Sequence, residues 1–191
     1  MKFVGNCSSI INWDTIIAPL KDRPGIRTPG EDSELYDANG DPKDKRPLHY
    51  ASSMMLKDAG YHLLNTIEWY TYLPDIDFDK SAIDKFSDFV NTTPLCVWIS
   101  SVKPGRCIPY HWDFDYGEYD AEILANKDKL LRYTCHISKP KFGHIFATEN
   151  MSFYNEPQGN TYLWDNLDLY HGGSNFGLEP KFLFNFIGYA K

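Results

Sequence analysis

Basic charge is in short supply. Against 26 Asp and Glu the 191 residues carry 19 Lys and Arg, a formal charge of −7, and no Lys/Arg cluster offsets it. Gripping a phosphate backbone takes clustered cations, so no nucleic-acid partner is expected. Long apolar runs are lacking too. Ile16-Ile17-Ala18-Pro19-Leu20 is typical of the longest, far short of the ~20 residues a membrane helix needs. Met1-Lys2-Phe3-Val4-Gly5-Asn6 has no signal-peptide core, so a cytoplasmic setting without a membrane partner is expected. Cysteine is sparse: positions 7, 96, 107 and 135, with no Cys-x-x-Cys pair. That spacing argues against a zinc ribbon or a thioredoxin-like centre. It predicts free, mostly buried thiols.

Aromatic residues are plentiful, with 13 Tyr, 12 Phe and 5 Trp, and 42% of the chain is hydrophobic. That is ample for one core, and the length suits one domain over residues 1–191. Twelve Pro and 13 Gly point to a turn-rich β protein. The chain changes character near residue 93. Residues 1–93 read as helical and loop-rich, with an irregular Pro-bearing stretch from Lys21 to Pro47. Helices are predicted over Ala51–Ala59 and over Ser81–Val90, the latter with Ser81 as N-cap and Ile83, Phe86, Phe89 and Val90 at helical spacing.

Residues 94–191 read as short strands forming the barrel core. Leu95–Ile99 is a nearly unbroken apolar run, and Pro104-Gly105 marks a turn. From Leu130 to Ser138 the pattern alternates. Leu131, Tyr133, Cys135 and Ile137 share one face; Arg132, Thr134 and His136 share the other. Between Lys181 and Tyr189, Phe182, Phe184 and Phe186 oppose Lys181, Leu183 and Asn185. Strands with one greasy and one polar face predict a β-barrel or jelly roll. Its greasy outside lies under the N-terminal helices and its polar inside forms a pocket.

Pro109-Tyr110-His111-Trp112-Asp113 is the segment with the most chemistry. In a strand His111 and Asp113, two apart, point to one face. With the distant His171 of Tyr170-His171-Gly172-Gly173 they make a candidate two-His-one-carboxylate triad, which leaves open positions on Fe(II) for a chelating cosubstrate and O2. Lys181, ten residues beyond His171, points to the polar face, where a buried ammonium needs an anion. Trp112, Trp164 and Tyr110 read as packing that keeps water from the site. Asp115–Lys129 reads as an acidic rim to the pocket.

Residues 100–113, with Pro104-Gly105 and Pro109-Tyr110-His111-Trp112-Asp113, resemble the Pro-Gly…Pro-x-His-x-Asp segment of Fe(II)/2-oxoglutarate-dependent oxygenases. Within that superfamily the chain is most similar to the aspartyl/asparaginyl β-hydroxylase and proline hydroxylase group. Gly159–Asn166 followed by His171 and Asn175 resembles the group's second metal segment. The resemblance covers about residues 95–189. It implies a double-stranded β-helix (jelly-roll, cupin-like barrel). It also implies a dioxygenase that hydroxylates an amino acid, free or within a peptide, releasing succinate and CO2. His111, Asp113 and His171 match the iron ligands. Lys181 stands where the family usually has an Arg that holds the distal carboxylate of 2-oxoglutarate, and Ser100 matches a serine that can contact the cosubstrate. The family's Arg-x-His appears here as Arg132 and His136, four apart, leaving open which one reaches 2-oxoglutarate. Two other readings are a cupin-like metalloenzyme that does not use 2-oxoglutarate and a noncatalytic barrel that binds a ligand or peptide. The first requires no inward cation at Lys181.

Overall fold

The computed structural model describes residues 1–21, 68–72, 80–111, 126–167 and 169–191, with the backbone alone at 68–72, 108, 109, 111 and 127. Among the described residues, ten strands alternate with little helix: β1 (Lys2–Asn6), β2 (Glu68–Tyr72), β3 (Thr92–Val102), β4 (Cys107–His111), β5 (Leu130–His136), β6 (His144–Thr148), β7 (Ser152–Tyr154), β8 (Asn160–Leu163), β9 (His171–Asn175) and β10 (Lys181–Ala190). The described helices are α1 (Trp13–Ile17), continued by a short 3-10 turn, and α2 (Lys80–Val90).

Two antiparallel sheets form. One has the order β1-β8-β5-β10-β3-β2 and the other β4-β9-β6-β7. From β3 onward the chain passes back and forth between them, so neighbours in space are distant in sequence. The eight strands β3 to β10 make a jelly roll, a double-stranded β-helix. The protein is mainly β, as the alternating strands predict.

Alternation along β5 and β10 sets the layers. Tyr133, Cys135, Ile137, Phe182, Phe184 and Phe186 leave the outer face of the larger sheet. They pack against Trp13 of α1 and Phe86 of α2, with the Phe86 ring 4.8 Å from Phe184 and 5.2 Å from Phe186. The opposite face looks toward the smaller sheet, across a second cluster of Phe146, Phe153, Tyr162, Trp164, Leu169 and Leu183.

Several local expectations are met. Pro104-Gly105 forms a tight turn, with Gly105 at φ +74° and the Arg106 N–H donating to the Lys103 carbonyl at 3.0 Å. Only glycine takes that φ without strain. Asn91, at φ 50°, ends α2 in the left-handed conformation, a helix-end role asparagine tolerates. Cys7, Cys96 and Cys135 are free and buried; Cys107 is free and half-buried. Other expectations need correction. Helix α2 is described from Lys80, so Ser81 lies within it and is not the N-cap. The Lys80–Asp84 ion pair, at 2.7 Å and spaced i,i+4, lies along this helix. The N-terminal part also contributes strands β1 and β2 to the edges of the larger sheet. Strand β1 is mostly exposed, so no buried alternation announces it. The predicted helix Ala51–Ala59 lies outside the described residues, as do Lys21–Pro47 beyond its first residue and Asp115–Lys129 before Asn126.

Candidate metal and oxoacid site

Strands β4 and β9 are neighbours in the smaller sheet, and their register makes His111 and His171 direct cross-strand partners. Residues 60 apart in sequence are thereby brought to one place. His171 is buried, and its Nδ1 lies 3.0 Å from the Leu169 carbonyl oxygen. A carbonyl only accepts, so Nδ1 carries the proton and Nε2 keeps its lone pair. This is the tautomer a metal-binding histidine uses, with its second nitrogen tied to a backbone acceptor. The His171 ring sits edge-on to Trp164 at 4.7 Å. On the surface, Tyr110 and Tyr170, each one residue before a histidine, stack at 5.6 Å and 23°. They clip β4 to β9 beside the paired positions.

The larger sheet faces this place with a polar chain. Trp164 Nε1 donates to Thr134 Oγ1 at 2.9 Å, Thr134 Oγ1 to Asn185 Oδ1 at 3.1 Å, and Asn185 Nδ2 to Ser100 Oγ at 3.2 Å. All four residues are buried. Ser100 is therefore inside, with its hydroxyl oxygen accepting from Asn185. Arg132 is also inside and 3% exposed. Its guanidinium lies 3.7 Å from the Trp164 ring centre and 5.4 Å from that of Trp98. Stacking on two indoles holds a cation away from water. The alternation read from the sequence gives this inward phase correctly.

Lys181 opens β10 and is 3% exposed. Its Nζ donates to the Ile145 carbonyl at 2.6 Å and lies 5.5 Å from the Phe146 ring centre. Among the described residues, no carboxylate pairs with it. Burial pushes its pKa down to about 7, because a charged amine loses its hydration there. Gly173, two residues after His171, provides the room. A Cβ there would stand 3.0 Å from the Ile145 oxygen and 3.8 Å from Lys181 Nζ. Two strand residues span roughly 7 Å, which sets the scale between His171 and the ammonium. His136 shares this end of the barrel. It is buried, its Nε2 has no hydrogen-bond partner, and its pKa is pushed to about 3 by burial and then by the charge of Lys181.

The structure brings together His111, His171, Lys181, Ser100, Arg132 and His136 on facing sheets. Asp113 and Trp112 lie outside the described residues. Two histidine positions paired by backbone register, with the His171 imidazole fixed so that Nε2 can donate to a metal, suit a divalent transition metal. A lone buried ammonium beside a glycine cradle fits the far end of a dicarboxylate. Sequence reasoning gave Trp164 a packing role only and missed Gly173. Trp164 holds the His171 ring and the Arg132 guanidinium together. The Gly172-Gly173 pair after the histidine was the available signal for the cradle. Tyr110 is not a water-excluding residue but half of an exposed stack, 47% accessible.

No protein-family model matches the chain, and no curated protein matches it. Solved structures of similar shape do exist. The viral collagen prolyl hydroxylase vCPH of Paramecium bursaria Chlorella virus 1, in complex with 2OG, is 18% identical with a TM-score of 0.44, over 72% of this chain and 89% of that one. A protein with a double-stranded β-helix domain from Klebsiella pneumoniae is 16% identical with a TM-score of 0.34, over 53% of this chain and 72% of that one. The cupin domain of Cnp3 from Schizosaccharomyces pombe is 8% identical with a TM-score of 0.38, over 64% of each chain.

Proposed function

We propose that the chain is an Fe(II)- and 2-oxoglutarate-dependent dioxygenase that hydroxylates an amino acid, free or within a peptide. One observation carries the reading. His111 and His171 are cross-strand partners on one sheet, and the Lys181 ammonium of β10, buried and without a carboxylate partner among the described residues, lies beside Gly173, two residues along β9 from His171.

In this reading His111, Asp113 and His171 hold Fe(II). The metal, 2-oxoglutarate and O2 supply the oxidising chemistry when bound, with succinate and CO2 as co-products. The chain supplies the rest. The Leu169 carbonyl keeps His171 in its ligating tautomer. Trp164, anchored through Thr134, holds that ring edge-on and excludes water from it. Lys181 binds the distal carboxylate and takes up a proton as it does so, since burial alone leaves its amine only partly charged near neutral pH. Ser100 retains its hydroxyl proton to donate to the same cosubstrate. Arg132, stacked on Trp164, offers its fork to a second carboxylate, on cosubstrate or substrate.

The test is a succinate-release screen with Fe(II), 2-oxoglutarate and a panel of amino acids and peptides. Succinate formed in proportion to a hydroxylated product supports the reading. Metal-dependent turnover of a substrate without 2-oxoglutarate would replace it with the cupin-like alternative.

A further inference from the structure

At the barrel end remote from the paired histidines, two loops present apolar side chains to solvent. One joins β5 to β6 and carries Phe142; the other joins β9 to β10 and carries Phe176 and Leu178. His171 opens β9 and Asn175 closes it, so the loops lie four residues or more, roughly 13 Å, from the candidate metal position. Leu178 is 96% exposed, Phe142 82% and Phe176 74%. Tyr154 of β7, itself exposed, extends the patch, with its ring 6.4 Å from that of Phe142.

The two loops are pinned in place. Gly143 takes φ +89°, and a Cβ there would collide with the Gly177 nitrogen. A Cβ on Gly177 would collide with the Phe142 oxygen. Backbone therefore lies directly on backbone, and the Phe176 N–H donates to the Gly143 carbonyl at 2.9 Å. Asn175, fully buried, fixes the second loop. Its Oδ1 accepts from the Gly177 N–H at 2.8 Å, and its Nδ2 donates to the Val102 and Glu179 carbonyls, both at 2.7 Å. Loops held this closely keep Phe142, Phe176 and Leu178 turned outward.

Area and charge point to the occupant. An aromatic side chain offers roughly 150–250 Å², so three of them and a leucine, exposed to this degree, present on the order of 500 Å². Two such patches face to face bury about 1,000 Å² before any rim residue is added, close to the roughly 1,200 Å² at which stable interfaces begin. The flanking charges are of both signs and already balanced. Lys141, next to Phe142, pairs with Glu179, next to Leu178, at 2.6 Å, and Lys139 pairs with Asp14 at 2.5 Å. Balanced charge gives an anionic lipid surface little to attract. Both signs side by side suit a copy of the same patch, because a two-fold contact sets residue i against j and j against i. We infer that this patch is a two-fold dimer interface. Phe142, Tyr154, Phe176 and Leu178 of one copy pack on the same residues of a second, and Lys141 of each copy faces Glu179 of the other. The contact needs neither metal nor oxoacid, so it stands or falls independently of the oxygenase reading.

The experiment is sedimentation equilibrium of the full-length chain at low salt, from micromolar to sub-millimolar concentration. Wild type should approach twice the chain mass. Phe142→Glu and Leu178→Glu, at exposed positions where the fold tolerates a charge, should each weaken association at least tenfold. Leu95→Glu, also exposed but toward the far end of β3 from Val102, should leave it unchanged. Lys141→Glu alone and Glu179→Lys alone should each weaken self-association. An equimolar mixture of those two variants should recover a heterodimer, because both cross-chain pairs then have opposite signs. A wild type that stays monomeric throughout overturns the inference; if it also cosediments with vesicles of phosphatidylcholine and phosphatidylserine, the patch belongs to a membrane surface instead. Dimers that persist in both Phe142→Glu and Leu178→Glu overturn it too, as does a mixture that stays monomeric.

Discussion

Strand β10 serves two regions that differ in nearly every physical respect. On its outer face, Phe182, Phe184 and Phe186 lock into Trp13, Phe86 and Tyr133, where the Tyr133 hydroxyl and the Trp13 indole N–H are the polar atoms of these rings. On its inner face, Lys181 and Asn185 sit among Arg132, Thr134, His136 and Ser100, where each buried polar atom must find a partner. The outer face is close-packed hydrocarbon and contributes stability through burial. The inner face gives up stability to hold charge out of water. A pleated strand makes this division simple, since alternate residues belong to different layers.

The comparison is broken most severely from the outer side. Phe184→Ala removes a fully buried ring and should cost about 3–5 kcal/mol of unfolding free energy. Chemical denaturation checks this, and a loss under about 1 kcal/mol would mean that the outer layer is not the principal core. On the inner side, Lys181→Ala should leave the fold and metal uptake intact. It should weaken 2-oxoglutarate binding by roughly two to four decades, the consequence of removing one member of a buried charge pair. Lys181→Arg should recover part of that loss. An anaerobic titration of metal-loaded protein decides; a wild-type affinity for Lys181→Ala would transfer the anchoring role to Arg132.

A third prediction concerns what the inner face costs. The Lys181 pKa is near 7 in the folded chain and about 10.4 when unfolded. Between those values the unfolded state binds more protons, so this group makes stability rise with pH. Below about pH 7 the penalty is fully present. Metal-free Lys181→Met should therefore melt higher than wild type at pH 7, with an advantage that shrinks toward pH 10. A pH-independent offset would contradict the buried, unpaired amine. The smallest effect belongs to the surface clip. Tyr110→Ala removes the stack with Tyr170, worth about 0.5–1.5 kcal/mol, and should lower metal affinity modestly through looser pairing of β4 with β9. Unaltered metal affinity would limit the stack to decoration.

How much of this was legible beforehand follows the same division. The phases of β5 and β10 were readable because one face is greasy and the other polar, and so was the inward placement of Arg132, His136 and Lys181. The partnership of His111 with His171 was foreshadowed only by residue type, since register between strands 60 residues apart depends on the whole sheet order. Strand β1 was invisible because it is exposed and lacks alternation. The chain of hydrogen bonds from Trp164 through Thr134 and Asn185 to Ser100 was not legible at all. Each residue is unremarkable alone, and the chain exists only where three strands of one sheet and the turn into Trp164 converge.

The central claim is that His111 and His171 hold a metal in register. Anaerobic reconstitution with Fe(II), followed by measurement of bound iron per chain in wild type, His111→Ala and His171→Ala, tests it most directly. The account predicts one iron per wild-type chain and a loss of most of it in each variant, with the melting behaviour of the metal-free fold preserved. Unchanged iron content in both variants would contradict it.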